Sequence, residues 1–416
     1  MTPGGLSSDG VTDRLSYRQL LRIPNLRALL LAACLARLGG RMLLLAIVLY
    51  ALARFGSPVL AGWLSFALLA PGLAISPIAG ALIDRAGAAW AITADMATSA
   101  TCLVILAIAD RMGWASGPAL LGVCALFSLT SPLSAAGIRT LLPRLVPSAV
   151  LDRANALDTS IHGLTDVVGP ALAGVLVGTV GAAPTFGFIA MIYAVAALCV
   201  GGTRRADHAA VHAAARSRGS LLAEALAGLI RVLRQPTLRG LAICYGLYQI
   251  TWGVLIVAVP VLAARGFASG TRDVAAGALW AAAGVTGAAG ALVAGQFRTQ
   301  GRERRVMTLG MLVTALAVWP TAVAFGLPGV AVGLMVVAVV AGPIDVSLLT
   351  LRQRRTDPRE LGRVLSVSMS LNLAGIPVGS ALAGLLLQWS LSGTLAIAAL
   401  ASLVAAASVA LVPGLD

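Results

Sequence analysis

Val168-Gly-Pro-Ala-Leu-Ala-Gly174 returns 210 residues later as Val378-Gly-Ser-Ala-Leu-Ala-Gly384. Two further islands repeat at the same offset: Leu151 and Arg153 with Leu361 and Arg363, and Gly80-Ala-Leu82 with Gly290-Ala-Leu292. Each holds the same place relative to the apolar run beside it. A single short match in so Ala-, Leu- and Gly-rich a chain carries little, but three at one offset mark an internal duplication. The chain reads as two halves in parallel repeat, an arrangement that in transporters places a substrate site near the midplane between them.

The runs around these islands are long enough to cross a bilayer, which takes about 20 apolar residues in a helix. Twelve are expected, at approximately 27–52, 58–82, 90–109, 116–137, 156–179, 184–201, 239–262, 274–296, 306–326, 329–349, 366–388 and 392–412. The expected fold is an all-α polytopic membrane protein of twelve transmembrane helices. A tail (1–26) precedes a first six-helix half (27–201), and a linker (202–238) leads to a second (239–412). The second half of the linker, LLAEALAGLIRVLRQP, is amphipathic at helical spacing and should lie on the inner membrane face. The first span starts too late and runs too long for a cleaved signal peptide.

Composition excludes other classes. Of 416 residues 59% are hydrophobic and 11% charged, with mean hydropathy +0.93, where soluble domains carry about a quarter charged residues. All 30 basic residues are Arg, so the lysine of a phosphate-binding loop is missing and Schiff-base chemistry is excluded. A net charge of +14 would suggest nucleic acid in a soluble protein, but here it reports sidedness. Of the arginines, 24 fall on the side of the N-terminus. Only Arg54, Arg111, Arg265 and Arg272 fall opposite, and Arg37 and Arg41 lie inside span 1. By the positive-inside rule both termini are cytoplasmic. The Ala- and Arg-rich, Lys-free composition fits a GC-rich bacterial source, hence a multi-pass protein of the bacterial plasma (inner) membrane.

The five cysteines (Cys34, Cys102, Cys124, Cys199, Cys244) lie in apolar runs without pairing or metal spacing and read as packing residues. His208 and His212, beside Asp207, have i, i+4 spacing but read as solvated linker residues. No hydrolase or metalloprotease motif is present, so no enzyme, metal or cofactor is expected.

Ionisable groups inside spans are expensive, about 2.5–3.5 kcal/mol each on insertion scales, so each needs a partner or a wet cavity. Arg37 and Arg41 share one face of span 1, and Asp158, His162 and Asp166 follow at i, i+4, i+8 along span 5. Asp345 lies near the inner end of span 10, and Asp95 reads as an interfacial structural acid. Tyr245, Tyr248, Gln249 and Trp252 share a face of span 7, suited to a bulky, partly aromatic ligand.

After span 2 comes Gly80-Ala-Leu-Ile-Asp84-Arg85-Ala-Gly87. It resembles the G-x-L-x-D-R-x-G loop motif of the major facilitator superfamily, although Ala88 and Ala89 replace the usual basic pair. Arg139-Thr-Leu-Leu-Pro143-Arg-Leu-Val-Pro147, Arg153-Ala-Asn155-Ala-Leu157 and Gly169-Pro170-Ala-Leu-Ala-Gly174 resemble the branch of enterobactin exporters and macrolide-efflux proteins. The segment from Arg354 to Arg363, followed by Val364-Leu-Ser, resembles that branch's loop into span 11. The Gly169, Pro170, Gly174 element is similar to the superfamily's antiporter motif.

The resemblance implies export by alternating access, with Gly80, Asp84, Arg85 and Gly87 in an inner gate. It also implies that spans 1 and 5 are neighbours and that spans 1, 4, 7 and 10 line the cavity. Arg37 or Arg41 would then pair with Asp166, with His162 beside them. Asp166, His162 and Asp345 become proton-coupling candidates, and Arg37, Arg41, Tyr245, Tyr248, Gln249 and Trp252 cavity candidates. The expected function is proton-coupled antiport of a small amphipathic molecule such as a drug, siderophore or secondary metabolite, by a monomer in the lipid bilayer that binds no nucleic acid. The rivals are an importer or uniporter of the same fold, or a membrane sensor that moves nothing.

Overall fold

A computed structural model describes residues 17–23, 25–147, 150–201, 229–268, 270–296, 301–356 and 368–413. Most of the tail, the linker residues 202–228 with Asp207, His208 and His212, and the segment carrying Arg363 lie outside these. After a short turn at Tyr17–Leu20 the helices are α1 Leu26–Phe55, α2 Pro58–Ala86, α3 Ala88–Arg111, α4 Gly117–Leu145, α5 Leu151–Val180 and α6 Ala182–Val200. The second half holds α7 Pro236–Gly266, α8 Arg272–Gln296, α9 Glu303–Val318, α10 Pro320–Arg354, α11 Gly375–Leu386 and α12 Leu391–Ser408. Among the described residues, eleven helices are long and apolar enough to span a membrane. The one left out is α9, at 16 residues, whereas α11 reaches span length with the helical residues before it, as Ser368–Leu386.

The stretch Pro320–Arg354 is not one rod. Gly326 stands at φ 61°, ψ −135°, a conformation open to glycine and strained for other residues. Across it, Gly329 lies against the Thr321 carbonyl and Gly333 against that of Ala317, so the chain doubles back there. Residues 320–325 therefore complete span 9 beyond the break at Pro320, and the turn falls between the two spans expected from the sequence.

The duplication is visible in the packing. In the first half α1 packs on α5 and α6, α2 on α4, and α3 on α4 and α6. The second half repeats each pairing six helices later: α7 on α11 and α12, α8 on α10, and α9 on α10 and α12. The two halves join chiefly through α2 on α11 and α5 on α8. An even number of alternating crossings brings the start of α1, the end of α6, the start of α7 and the end of α12 to one end of the bundle, here the terminal end.

At the opposite, far end the halves touch through backbone. A Cβ at Gly174 of α5 would stand 2.6 Å from the Asp273 carbonyl oxygen and 2.7 Å from Gly277 Cα. On the other seam, one at Gly384 of α11 would stand 2.8 Å from the Pro58 carbonyl oxygen. Small residues allow such approach, which in lipid yields dispersion contact without help from water. Farther along, Ser76 of α2 and Ser370, just before α11, stand with hydroxyls 2.6 Å apart. Nearer the terminal end, positions Gly80 and Gly163 have open space beside them.

Candidate functional site

The charged centre is built where α1 and α5 run side by side in the same direction. Arg37 makes a forked pair with Asp158, Nη1 to Oδ1 at 2.7 Å and Nη2 to Oδ2 at 2.9 Å, and Nη1 also donates to the Asp158 carbonyl at 3.1 Å. Such bidentate pairing is the strong form of this interaction. One turn onward on α1 and two turns onward on α5, Arg41 Nε lies 2.5 Å from Asp166 Oδ1. The pair with Asp166 thus falls to Arg41, while Arg37 takes Asp158. His162 stands between the two acids on the α5 stripe, exposed, within the electrostatic reach of all four charges.

The two pairs differ in access. Arg37 and Asp158 are 18% and 19% exposed, whereas Arg41 and Asp166 are 42% and 37% exposed. Asp166 Oδ1 itself is closed off, so that exposure belongs to the rest of the side chain.

The Gly-Pro element explains this geometry. A Cβ at Gly169 would stand 2.5 Å from Arg41 Cβ, so only glycine lets the root of Arg41 lie against α5. A helical side chain leans back toward its own N-terminus, which carries the guanidinium one turn down to Asp166. Pro170 has no N–H, so the carbonyl four residues earlier, that of Asp166, loses its helical partner. That carbonyl faces α8, where a Cβ at Gly284 would stand 3.3 Å from it. Gly174, one turn beyond, supplies the contact with α8 described above. The ion pair, the kink and the joint between halves therefore share one segment.

In the second half Tyr245 donates from its hydroxyl to Asp345 Oδ1 at 2.6 Å. Asp345 is exposed, whereas Tyr245 and Tyr248, with ring centroids 5.7 Å apart, are buried among Met307, Met311 and Ile344. Gln249 is buried as well. Only Trp252 of the four expected cavity residues on this helix is partly exposed; its ring lies 6.3 Å from that of Trp280 on α8. Replacing Tyr245 by Phe removes one hydrogen bond to an acceptor that water can reach. We expect a loss of about 1 kcal/mol, read as a small drop in the unfolding midpoint.

Gly87 ends α2 at φ 91°, making the turn into α3, while Gly80 lies inside α2. Arg85 is exposed on the last turn of α2; the side chain of Asp84 lies outside what the structure describes. Asp95 is buried among the hydroxyls of Ser99, Thr130 and Ser134. The five cysteines are free thiols, and no metal-binding cluster of His, Cys, Asp or Glu occurs among the described residues. Residue patterns did not single out Trp280, nor buried Glu303, which pairs with Arg354 at 2.8 Å. Nor did they single out buried Arg352, whose guanidinium meets the Asn372 side chain. Glu303 at a helix start and the arginines ending α10 were the available signals.

Two repeated halves of span-length apolar helices with ion pairs between the helices are the architecture of a polytopic membrane protein. The sequence profile of the Major Facilitator Superfamily matches residues 29–300 and 241–414, and the chain belongs to that family. A relative described as an uncharacterized MFS-type transporter, y4rN of Sinorhizobium fredii, is 50% identical over 400 residues, covering 96% of this chain and 98% of that one. The protein described as multidrug efflux pump Tap of Mycobacterium tuberculosis is 28% identical over 86% of this chain and 85% of its own. Among solved structures, a peptide transporter aligns with TM-score 0.75 at 13% identity, covering 98% of each chain. The nucleoside transporter NupG aligns with TM-score 0.73 at 14% identity, over 94% of this chain and all of its own. These two likenesses show the fold.

Proposed function

We propose that the chain exports a small amphipathic molecule in exchange for protons, by alternating access. The observation that carries this reading is the Arg41–Asp166 pair. It is an ion pair at mid-helix, open on one side, set on the kinked segment of α5 that abuts the other half. A proton arriving on Asp166 dissolves the pair, and the loss is felt at the joint with α8, which biases the two halves between arrangements. Asp345, exposed and held by Tyr245, and His162 are the second candidates for the proton. The efflux assigned by name to the Tap relative supports the outward direction, and the efflux-branch motifs agree with it. The arginine distribution supports an inner bacterial membrane with cytoplasmic termini, and the protein acts as a monomer. The packed glycines at the far end then mean that the outer side is closed in this conformation.

The test is proton movement in inside-out vesicles carrying an imposed pH gradient, with hydrophobic, catecholate and macrolide compounds added in turn. Antiport predicts that at least one compound dissipates the gradient, in proportion to the amount of protein. Uptake of compound without proton movement would favour a uniporter instead.

A further inference from the structure

A groove of about 940 Å³ opens on the terminal end of the first half, between residues 21–23, Asn25, α1, α5 and α6. That volume is at the upper end of the range for small-molecule sites, about 300–1,000 Å³. Its lining combines the apolar Leu31, Leu157 and Ile161 with the basic Arg22 and Arg27. Both arginines are exposed, and neither has a carboxylate partner among the described residues.

We propose that this groove binds an anionic phospholipid, its phosphate between Arg22 and Arg27 and one acyl chain along Leu31, Leu157 and Ile161. The argument is charge complementarity joined to position. A water-soluble anion would leave the apolar wall unused, and an apolar helix would leave two arginines facing nothing. An anionic lipid uses both, and basic pockets between membrane helices are the usual receivers of such headgroups. The groove also backs the seam already described. Cys34, in its wall, precedes Arg37 by one turn on α1, while Leu157 and Ile161 flank Asp158 on α5. A bound chain therefore braces the Arg37–Asp158 pair from outside, and would make transport depend on the lipid's charge.

The chain's own cysteines supply the test. Cys34 and Cys199, both partly exposed, line the groove, while Cys102, Cys124 and Cys244 are buried. The full-length protein is placed in nanodiscs of phosphatidylcholine with or without phosphatidylglycerol. Labelling of each cysteine by a membrane-permeant maleimide is then followed by peptide mass spectrometry. We expect phosphatidylglycerol to slow labelling of Cys34 and Cys199. The amount needed should rise about 5-fold for Arg22→Gln or Arg27→Gln and roughly 25-fold for the double variant. Arg111→Gln, at the far end, should leave protection intact, and unlabelled Cys102, Cys124 and Cys244 report a folded protein. Equal labelling in both lipids overturns the proposal, as does protection that survives in the double variant. Protection by inorganic phosphate alone, in phosphatidylcholine, overturns the lipid in favour of a free anion.

Discussion

Gly277→Val should cut transport sharply while the twelve-helix fold survives. A Cβ at Gly277 would stand 2.7 Å from the Pro170 carbonyl oxygen and 2.9 Å from Gly174 Cα. Both are backbone atoms that cannot rotate aside, so even alanine forces α5 and α8 apart, and valine adds two methyl groups. Overpacking of this kind costs about 1–3 kcal/mol. The cost falls only on arrangements in which the halves touch at the far end, so each helix keeps its partners within its own half. A penalty of that size moves a two-state equilibrium about 5- to 150-fold, and transport, which needs both states, should fall to between about a fifth and about one per cent. The matching structural readout is a cysteine at Val274, beside Gly178 in the same joint. Gly277→Val should make Val274→Cys, partly exposed in this arrangement, more accessible from the far side. Gly187→Val, on α6 where a Cβ meets nothing within 4 Å, should change neither reading. Normal transport with the accessibility of Val274→Cys unchanged would show that this joint does not open.

The architecture was legible because it is written in repetition and length. The offset that relates Gly174 to Gly384 is the same relation that sets α5 on α8 and α11 on α2. The expected break between spans 9 and 10 falls at Gly326, since a reversal needs a residue that tolerates such a backbone. Side-chain partnership was harder. The stripe Asp158, His162, Asp166 could be read from i+4 spacing, but its register against Arg37 and Arg41 depends on how far α1 slides along α5. The close approach at Gly169 fixes that register, and no single-helix pattern encodes it. The aromatic face of α7 shows a second limit. Tyr245 and Tyr248 do share a face, but in a membrane protein lipid-facing and core-facing surfaces are both apolar, so periodicity loses its inside-outside meaning. Only packing shows that this face meets Met307, Met311 and Ile344.

Asp158→Asn and Asp166→Asn, changes of the same chemistry eight residues apart, should fail in opposite ways. Asp158 is bound by both arms of Arg37 and lies four-fifths out of solvent. Removing one partner of a buried pair costs about 3–5 kcal/mol because the other charge is stranded. At this depth the lower end is appropriate, and the variant should unfold at distinctly lower temperature. Combining it with Arg37→Gln should recover part of the loss, because two neutral amides can bond where a lone guanidinium could not. Asp166 presents the reverse case. Its pair with Arg41 is more than a third exposed on both sides, the regime in which ion pairs contribute about 0–1 kcal/mol. Asp166→Asn should therefore keep its unfolding temperature within a degree or two. It should nevertheless lose compound-driven proton movement by at least about tenfold, since an amide cannot take up the proton that dissolves the pair. If Asp166→Asn still dissipates the gradient as the unaltered protein does, the proton is carried elsewhere. The same assay on Asp345→Asn and His162→Gln would then decide between the two remaining groups.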